Sequence, residues 1–285
     1  MSEAPFGGEW SASLRRGSDR ELRGWVDAAL DWCETTDEIA LRHYRRDLEI
    51  TRKPDTTFVT QADTAIERFI RERIADAFPD HGVVGEEYGS EGADVAERWY
   101  VDPIDGTHNY LRGVPLFATL LAVERDGELQ AAVVSAPALG ERWYGWRGGG
   151  AWATSRREGG APRRIHVSGI AAVEEAQVLY ASAFDIESSG LAPGFRTLLS
   201  RAWRERGFGD FWGYTLVADG AAEVMVEQDL WPWDAAAPAL LVEEAGGRAT
   251  DLAGIRSIHN RTFLATNGII HDTVLRILTA PGREP

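Results

Sequence analysis

The chain has 285 residues, 44% of them hydrophobic and 26% charged, with a net charge of −15. That describes an ordinary soluble globular protein, long enough to bury a substantial core as one large domain or two fused lobes. No apolar run approaches the roughly 20 residues of a bilayer span, and the acid excess argues against non-specific nucleic-acid binding, which depends on basic surface.

The N-terminus, MSEAPFGGEWSASLRRG, has no basic stretch followed by an apolar core, so no secretory signal is expected and the reading is cytoplasmic. Residues 1–18, rich in Gly, Ser and Arg, read as a loose arm. Over 19–45 the spacing of Leu22, Trp25, Val26, Ala29, Cys33 and Ala40 predicts one long amphipathic helix or two in tandem. Cys33 is the only cysteine, so no intrachain disulfide exists; it suits a reducing compartment and a packed helix face.

Residues 49–57, with Lys53, Pro54 and Asp55, read as a turn or β-hairpin. A second helix is predicted over 60–78, with Ala62, Ile66, Ile70 and Ile74 on its buried stripe and Asp63 off that stripe in the first turn. Asp63 on its own suits a helix-dipole carboxylate. Val83 and Val84 predict a strand that ends at Glu86 in GEEYG; Glu87, its neighbour, points the other way. Residues 90–97 read as a polar loop. Trp99, Tyr100 and Val101 predict a buried strand that stops at Asp102, because Pro103 has no N–H for a ladder. Asp105 and Gly106 then turn the chain, and Thr107 opens a short helix.

Strands follow at 117–124 and 130–136, joined by a tight Arg125-Asp126-Gly127-Glu128 hairpin, and then at 142–146 and 151–154. Charge, Gly and Pro cluster over 155–162, which divides the chain into lobes of about 19–155 and 156–285. The second lobe is expected to hold strands at 164–167, 176–180, 222–226 and 262–265, and helices at 193–204, 212–219 and 269–278. Asp234 opens a further apolar helix that ends at Gly246-Gly247. Periodicity alone supports α/β or α+β. Most of the 11 tryptophans belong to core or subunit contact, with one or two lining a pocket.

Two carboxylates three residues apart at a strand end, with a hydroxyl and free N–H groups beside them, repel a phosphate unless hard cations lie between. Taken alone, DPIDG also suits a simple Asp/Pro/Gly turn. Together, GEE at 85–87, WYVDPIDGTHNY at 99–110 and WDAAAPALLVEEAGG at 233–247, in that order, resemble the inositol monophosphatase family of Mg²⁺-dependent, Li⁺-sensitive phosphatases. The resemblance covers about residues 21–278. It implies a layered αβαβα sandwich, two or three Mg²⁺ ions per active site and at least a homodimer. Position by position it implies that Glu86, Asp102, the Ile104 carbonyl, Asp105 and Asp234 bind metal. Asp63 would support a further metal or its water, and Thr107 would orient the nucleophilic water. Gly106 and Thr107 N–H groups would bind phosphate.

The stretch HNYLRGVP at 108–115 and the run GDFWGYTLVADGAAEVMVE look closest to the histidinol-phosphatase branch, although His108 stands where Lys or Thr is more usual. The expected reaction is therefore hydrolysis of L-histidinol phosphate, a step of histidine biosynthesis, by direct attack of water. Inositol-1-monophosphatase and adenosine 3′,5′-bisphosphate 3′-phosphatase are the alternatives within the class; a regulatory or RNA-associated binding protein is the alternative outside it. The resemblance puts Glu227 on the organic part of the substrate, with Gly209 to Phe211 bordering the pocket. Asp210 or Glu227 could pair with an ammonium, and Asp210 could equally cap the helix that begins near Trp212. Trp212 and Tyr214 form either an imidazole-binding wall or core.

Overall fold

The computed structural model describes residues 17–46, 48–52, 58–92 and 95–280. Most of the arm expected over 1–18, and the 53–57 tip of the turn, lie outside them. The first helix is single and long, α1 (Asp19–His43), started by Ser18, whose Oγ accepts from the Glu21 N–H at 3.2 Å. The short strands β1 (Ile50–Arg52) and β2 (Phe58–Thr60) pair antiparallel as the arms of the expected hairpin, and α2 (Gln61–Ala77) follows directly. Asp63 is not off the buried stripe of α2: it is 0% exposed, as closed to solvent as Ala62.

Eight strands then build the larger sheet: β3 (Gly82–Gly85), β4 (Gly89–Glu91), β5 (Glu97–Asp105), β6 (Ala118–Arg125), β7 (Glu128–Ala136), β8 (Glu141–Trp146), β9 (Gly150–Ser155) and β10 (Arg163–Ile165). Their spatial order is β10-β9-β8-β7-β6-β5-β3-β4, antiparallel except for β3 beside β5. The short helix α3 (Thr107–Leu111) interrupts the run after β5. The Asp126-Gly127 turn joins β6 and β7 as expected, with φ of 52° and 83°.

Three expectations fail here for physical reasons. Strand β5 does not stop at Asp102 but runs on to Asp105, with a register shift between Asp102 and Asp105. Partner β3 reaches only to Val101, so the missing N–H of Pro103 falls where no ladder bond is needed. The strand expected to open the second lobe is β10, and it pairs with β9 to close the first sheet. Residues 90 and 91, expected in a loop, extend β4 along β3.

The rest of the chain forms a five-stranded sheet and its helices. In order these are β11 (Gln177–Tyr180), α4 (Ala183–Ser188), α5 (Ala192–Arg201), β12 (Arg204–Arg206), α6 (Asp210–Ala218), β13 (Val224–Gln228), α7 (Pro232–Glu244), β14 (Arg248–Thr250), β15 (Thr262–Thr266) and α8 (His271–Leu278). The sheet order is β12-β11-β13-β15-β14. The helix expected over 193–204 ends at Arg201, because 204–206 pair in parallel with β11.

The layers follow from which faces are apolar. Helices α1 and α2 bury Leu22, Trp25, Ile66 and Ile70 against Val101, Leu121 and Val133 on one face of the large sheet. Helices α6 and α7 lie between the two sheets; α7, with Ala235 to Val242 buried, is apolar all round as a central helix must be. Helices α4, α5 and α8 cover the outer face of the small sheet, where Phe195, Leu198, Val274 and Leu278 pack on Val178, Val224 and Leu264. The result is an αβαβα sandwich, with the strand ends of β3 and β5 and the first turns of α3, α6 and α7 meeting at one place.

Candidate metal centre

Three carboxylates converge where β5 ends and α7 begins. One oxygen each of Asp102, Asp105 and Asp234 lies within 4.8 Å of the others. Asp102 and Asp105 stand on either side of the β5 register shift, which brings both to one place although an unbroken strand would turn them to opposite faces. Asp234 is three residues past the N-cap Trp231 of α7, and its Oδ2 accepts from the Trp231 N–H at 2.7 Å, so the helix start fixes its position. Glu86, at the end of β3, lines the same cavity of about 160 Å³, together with Ile104, Gly106, Thr107, His108, Asp210, Tyr214 and Glu227. Its N–H donates to the Val101 carbonyl at 3.2 Å, which ties the GEE turn to β5.

The electrostatics are dominated by burial and by repulsion between neighbouring anions. Burial lifts the Asp102 carboxyl well above its usual range, and Glu86, Asp105 and Asp234 lift it further. Asp105 is raised by burial and then by Asp210 and Asp234, against the Phe211 N–H that donates to its Oδ2 at 2.6 Å. Burial is also the main cause for Asp234, which is pushed up to about 7, with Glu86 adding to the repulsion. Asp102 Oδ1 is buried with no hydrogen-bond partner. Buried polar oxygens are rarely left so. Hard oxygen donors, mutual repulsion and an orphaned carboxylate oxygen fit a hard divalent cation such as Mg²⁺.

The model of the inositol monophosphatase family matches residues 21–280. The chain belongs to the inositol monophosphatase family. A histidinol-phosphatase of Mycobacterium tuberculosis is 42% identical over 253 residues, 88% of this chain and 96% of the relative. One from Streptomyces coelicolor is 42% identical over 236 residues, 81% and 88%. An inositol-1-monophosphatase of Rhizobium meliloti is 37% identical over 223 residues, 73% and 77%. Among solved structures, the extragenic suppressor protein SuhB of Bartonella henselae superposes with a TM-score of 0.82 at 28% identity, covering 90% of this chain and 99% of that one.

The residues expected from the sequence to bind metal, Glu86, Asp102, Ile104, Asp105 and Asp234, all line this cavity. The Ile104 carbonyl accepts from Thr107 Oγ1 at 3.0 Å. Gly106 holds φ at 82°, and a Cβ there would come within 2.8 Å of the Leu116 carbonyl, so glycine is required at this turn. Asp63 does not line the cavity. It closes a capping box with Thr60, whose N–H and hydroxyl donate to its Oδ2 at 2.9 and 2.5 Å. Burial pushes it up to about 6, the Glu86 charge adds to that, and its Oδ1 is buried without a partner.

The substrate-side positions divide. Asp210 and Glu227 line the cavity, whereas Gly209 sits behind it as the N-cap of α6. The capping reading of Asp210 is corrected: α6 begins at Asp210 itself, no side chain caps it, and Asp210 Oδ2 instead accepts from Asn109 Nδ2 at 3.0 Å. Glu227 accepts the Tyr214 hydroxyl at 2.8 Å, and burial pushes it up to about 8, with Asp210 adding to the shift. Tyr214 lines the cavity; Trp212 does not, and packs edge-on against Trp143.

Two residues with a part in the site escaped the sequence reading. Glu67, 0% exposed on α2, accepts the backbone N–H groups of Glu87 and Tyr88 at 2.6 and 3.1 Å, and so holds the turn that carries Glu86. A Cβ on Gly85 would meet Glu67 Oε1 at 2.1 Å, so the two residues are matched. The available signal was a carboxylate between Ile66 and Ile70 on a buried stripe, where an ionisable group needs a partner. Asn109 is the other; its signal was only an amide inside a catalytic motif.

Proposed function

We propose that this phosphoric monoester hydrolase acts on L-histidinol phosphate with two or three Mg²⁺ ions, releasing L-histidinol and phosphate in histidine biosynthesis. The observation that carries the reading is the meeting of Asp102, Asp105 and Asp234 within 4.8 Å in a cavity that Asp210 and Glu227 also line. The histidinol-phosphatases at 42% identity support the substrate. Asp102, Asp105, Asp234, Glu86 and the Ile104 carbonyl would hold the cations, with Asp63 supporting a further ion or its water. When bound, Mg²⁺ supplies Lewis-acid chemistry: it polarises the phosphoryl oxygens, acidifies water and stabilises the leaving alkoxide.

The chain's own groups do the positioning. Thr107 Oγ1 commits its proton to the Ile104 carbonyl, so its lone pairs are left to accept from an attacking water and hold that water in line. Gly106 and Thr107 N–H groups, at the start of α3, have no intrahelical acceptor and can bind phosphoryl oxygens. Asp210 and Glu227 suit the ammonium of the alcohol. The inositol-1-monophosphatase of R. meliloti at 37% identity favours a second reading, since these carboxylates also accept hydroxyls. Among the described residues no helix is long and apolar enough to cross a membrane. The proposal includes, from the family resemblance, a homodimer, and, from the single cysteine, a cytoplasmic location.

Phosphate release from histidinol phosphate, inositol 1-phosphate and adenosine 3′,5′-bisphosphate tests it. The highest kcat/KM is expected for histidinol phosphate, with activity abolished by EDTA and restored by Mg²⁺. A higher kcat/KM for inositol 1-phosphate overturns the substrate, and full activity in EDTA overturns the metal.

A further inference from the structure

We propose that Asn109 is a positioning residue that holds the Asp210 carboxylate at the cavity wall, so that the site selects phosphate esters of ammonium-bearing alcohols over those of neutral polyols. The inference rests on the phosphatase reading and names how that site chooses its substrate.

Asp210 has φ of 57°, in the left-handed region that a residue with a Cβ adopts at a cost and glycine adopts freely. It is the first residue of α6, yet it caps nothing. Strain kept at a site wall points to a side chain that is needed there. What Asp210 does make is one bond, Oδ2 to Asn109 Nδ2 at 3.0 Å, to a residue 101 positions earlier in the chain. Among the described residues no donor reaches its second oxygen, and a carboxylate accepts through both. Glu227 completes the wall with one oxygen given to Tyr214. Each carboxylate thus has one oxygen fixed internally and one left for a ligand. An ammonium brings three donors and a charge; a hydroxyl brings one donor and none.

Two further details bear on Asn109. Its backbone carbonyl already ends α3, accepting from Arg112 and Val114 at 3.1 and 2.9 Å, so the side chain is not needed for the helix. Asp210 Oδ2 also lies 3.4 Å from where a Cβ on Gly106 would be, which sets the carboxylate against the expected phosphate turn. An ammonium held there is close to the ester, as in a 2-aminoalkyl phosphate.

The test compares kcat/KM for wild type, Asp210→Asn and Asn109→Ala on two substrate pairs: histidinol phosphate against inositol 1-phosphate, and 2-aminoethyl phosphate against glycerol 2-phosphate. The amine-to-polyol ratio should fall about 10- to 100-fold in Asp210→Asn, as expected for loss of a charge-assisted bond. It should fall about 3- to 10-fold in Asn109→Ala, carried by KM of the amine substrate rather than by kcat. A purely structural role for Asn109 would lower both members of a pair alike. A ratio unchanged within about twofold in Asn109→Ala overturns the positioning role, and one unchanged in Asp210→Asn overturns the selection itself. If wild type ignores histidinol phosphate while the second pair still responds, the substrate reading fails and the inference stands. If Asn109→Ala does not fold, Asn109→Ser, which also lacks the amide donor, is read by the same ratios.

Discussion

Helix α7 carries partly buried carboxylates at both ends, and the two ends behave oppositely. At its start, Asp234 sits among Asp102, Asp105 and Glu86, and burial and repulsion raise it to about 7. At its end, burial also pushes Glu243 up, but Arg256 and Arg147 outweigh it and hold the carboxyl below its usual value. Arg256 grips Glu243 with two bonds of 2.6 and 2.9 Å, and Arg147 adds one of 2.8 Å. Helix α2 repeats the contrast within one turn: Glu67 is paired with Arg71 at 2.8 Å, while no described arginine pairs with Asp63. Burial alone therefore does not mark a functional carboxylate. The carboxylates left among other anions rather than on arginines are the ones proposed to meet a cation from outside.

The largest effect should come from breaking the unpaired end. Asp102→Asn or Asp234→Asn is expected to lower kcat/KM at least about 1000-fold, because on the proposed reading each removes a ligand charge on which transition-state stabilisation depends. In EDTA the same variants should melt no lower than wild type, since they relieve repulsion. At the paired end the expectation reverses. Glu243→Gln weakens three charge-assisted bonds while Arg256 keeps Glu128 and Arg147 keeps Glu244, and should cost about 2 kcal/mol of stability, read in a denaturant titration.

A pH series sharpens the contrast. The folded-state values of Asp63 and Asp234, about 6 and about 7, lie above the 3.8 of a free aspartate, so the native chain holds protons that the unfolded chain has released. Stability of the metal-free protein should therefore fall as pH rises from about 4 to about 7. Added Mg²⁺ should restore the melting temperature at pH 8 in wild type and not in Asp102→Asn. The smallest effect concerns Thr107: Thr107→Val leaves every carboxylate in place and should lower kcat about 10- to 100-fold without changing the Mg²⁺-dependent stabilisation.

What was legible in the sequence was local. The Asp126-Gly127 turn, the stripe of α2 and the apolar length of α7 follow from turn chemistry and periodicity, and the motif order pointed to the carboxylates. What was hidden depended on distant partners. Pro103 stays in strand β5 only because β3 has already ended, and β10 belongs to the large sheet only because β9 offers an edge. The three-residue strands β12 and β14 have too few positions to show a period. Glu67 looked like a polar residue in a helix until the Glu87 and Tyr88 amides came to it across 20 and 21 positions. Asp210 looked like a cap because the Asn109 amide that claims it lies on another element.

The most direct measurement is anomalous diffraction from crystals soaked in Mn²⁺ as a stand-in for Mg²⁺. The account predicts a peak bounded by Asp102, Asp105 and Asp234, with a carboxylate oxygen of each at bonding distance. Full soaking with no peak there, or a peak elsewhere while these three carboxylates keep only protons and water, would contradict it.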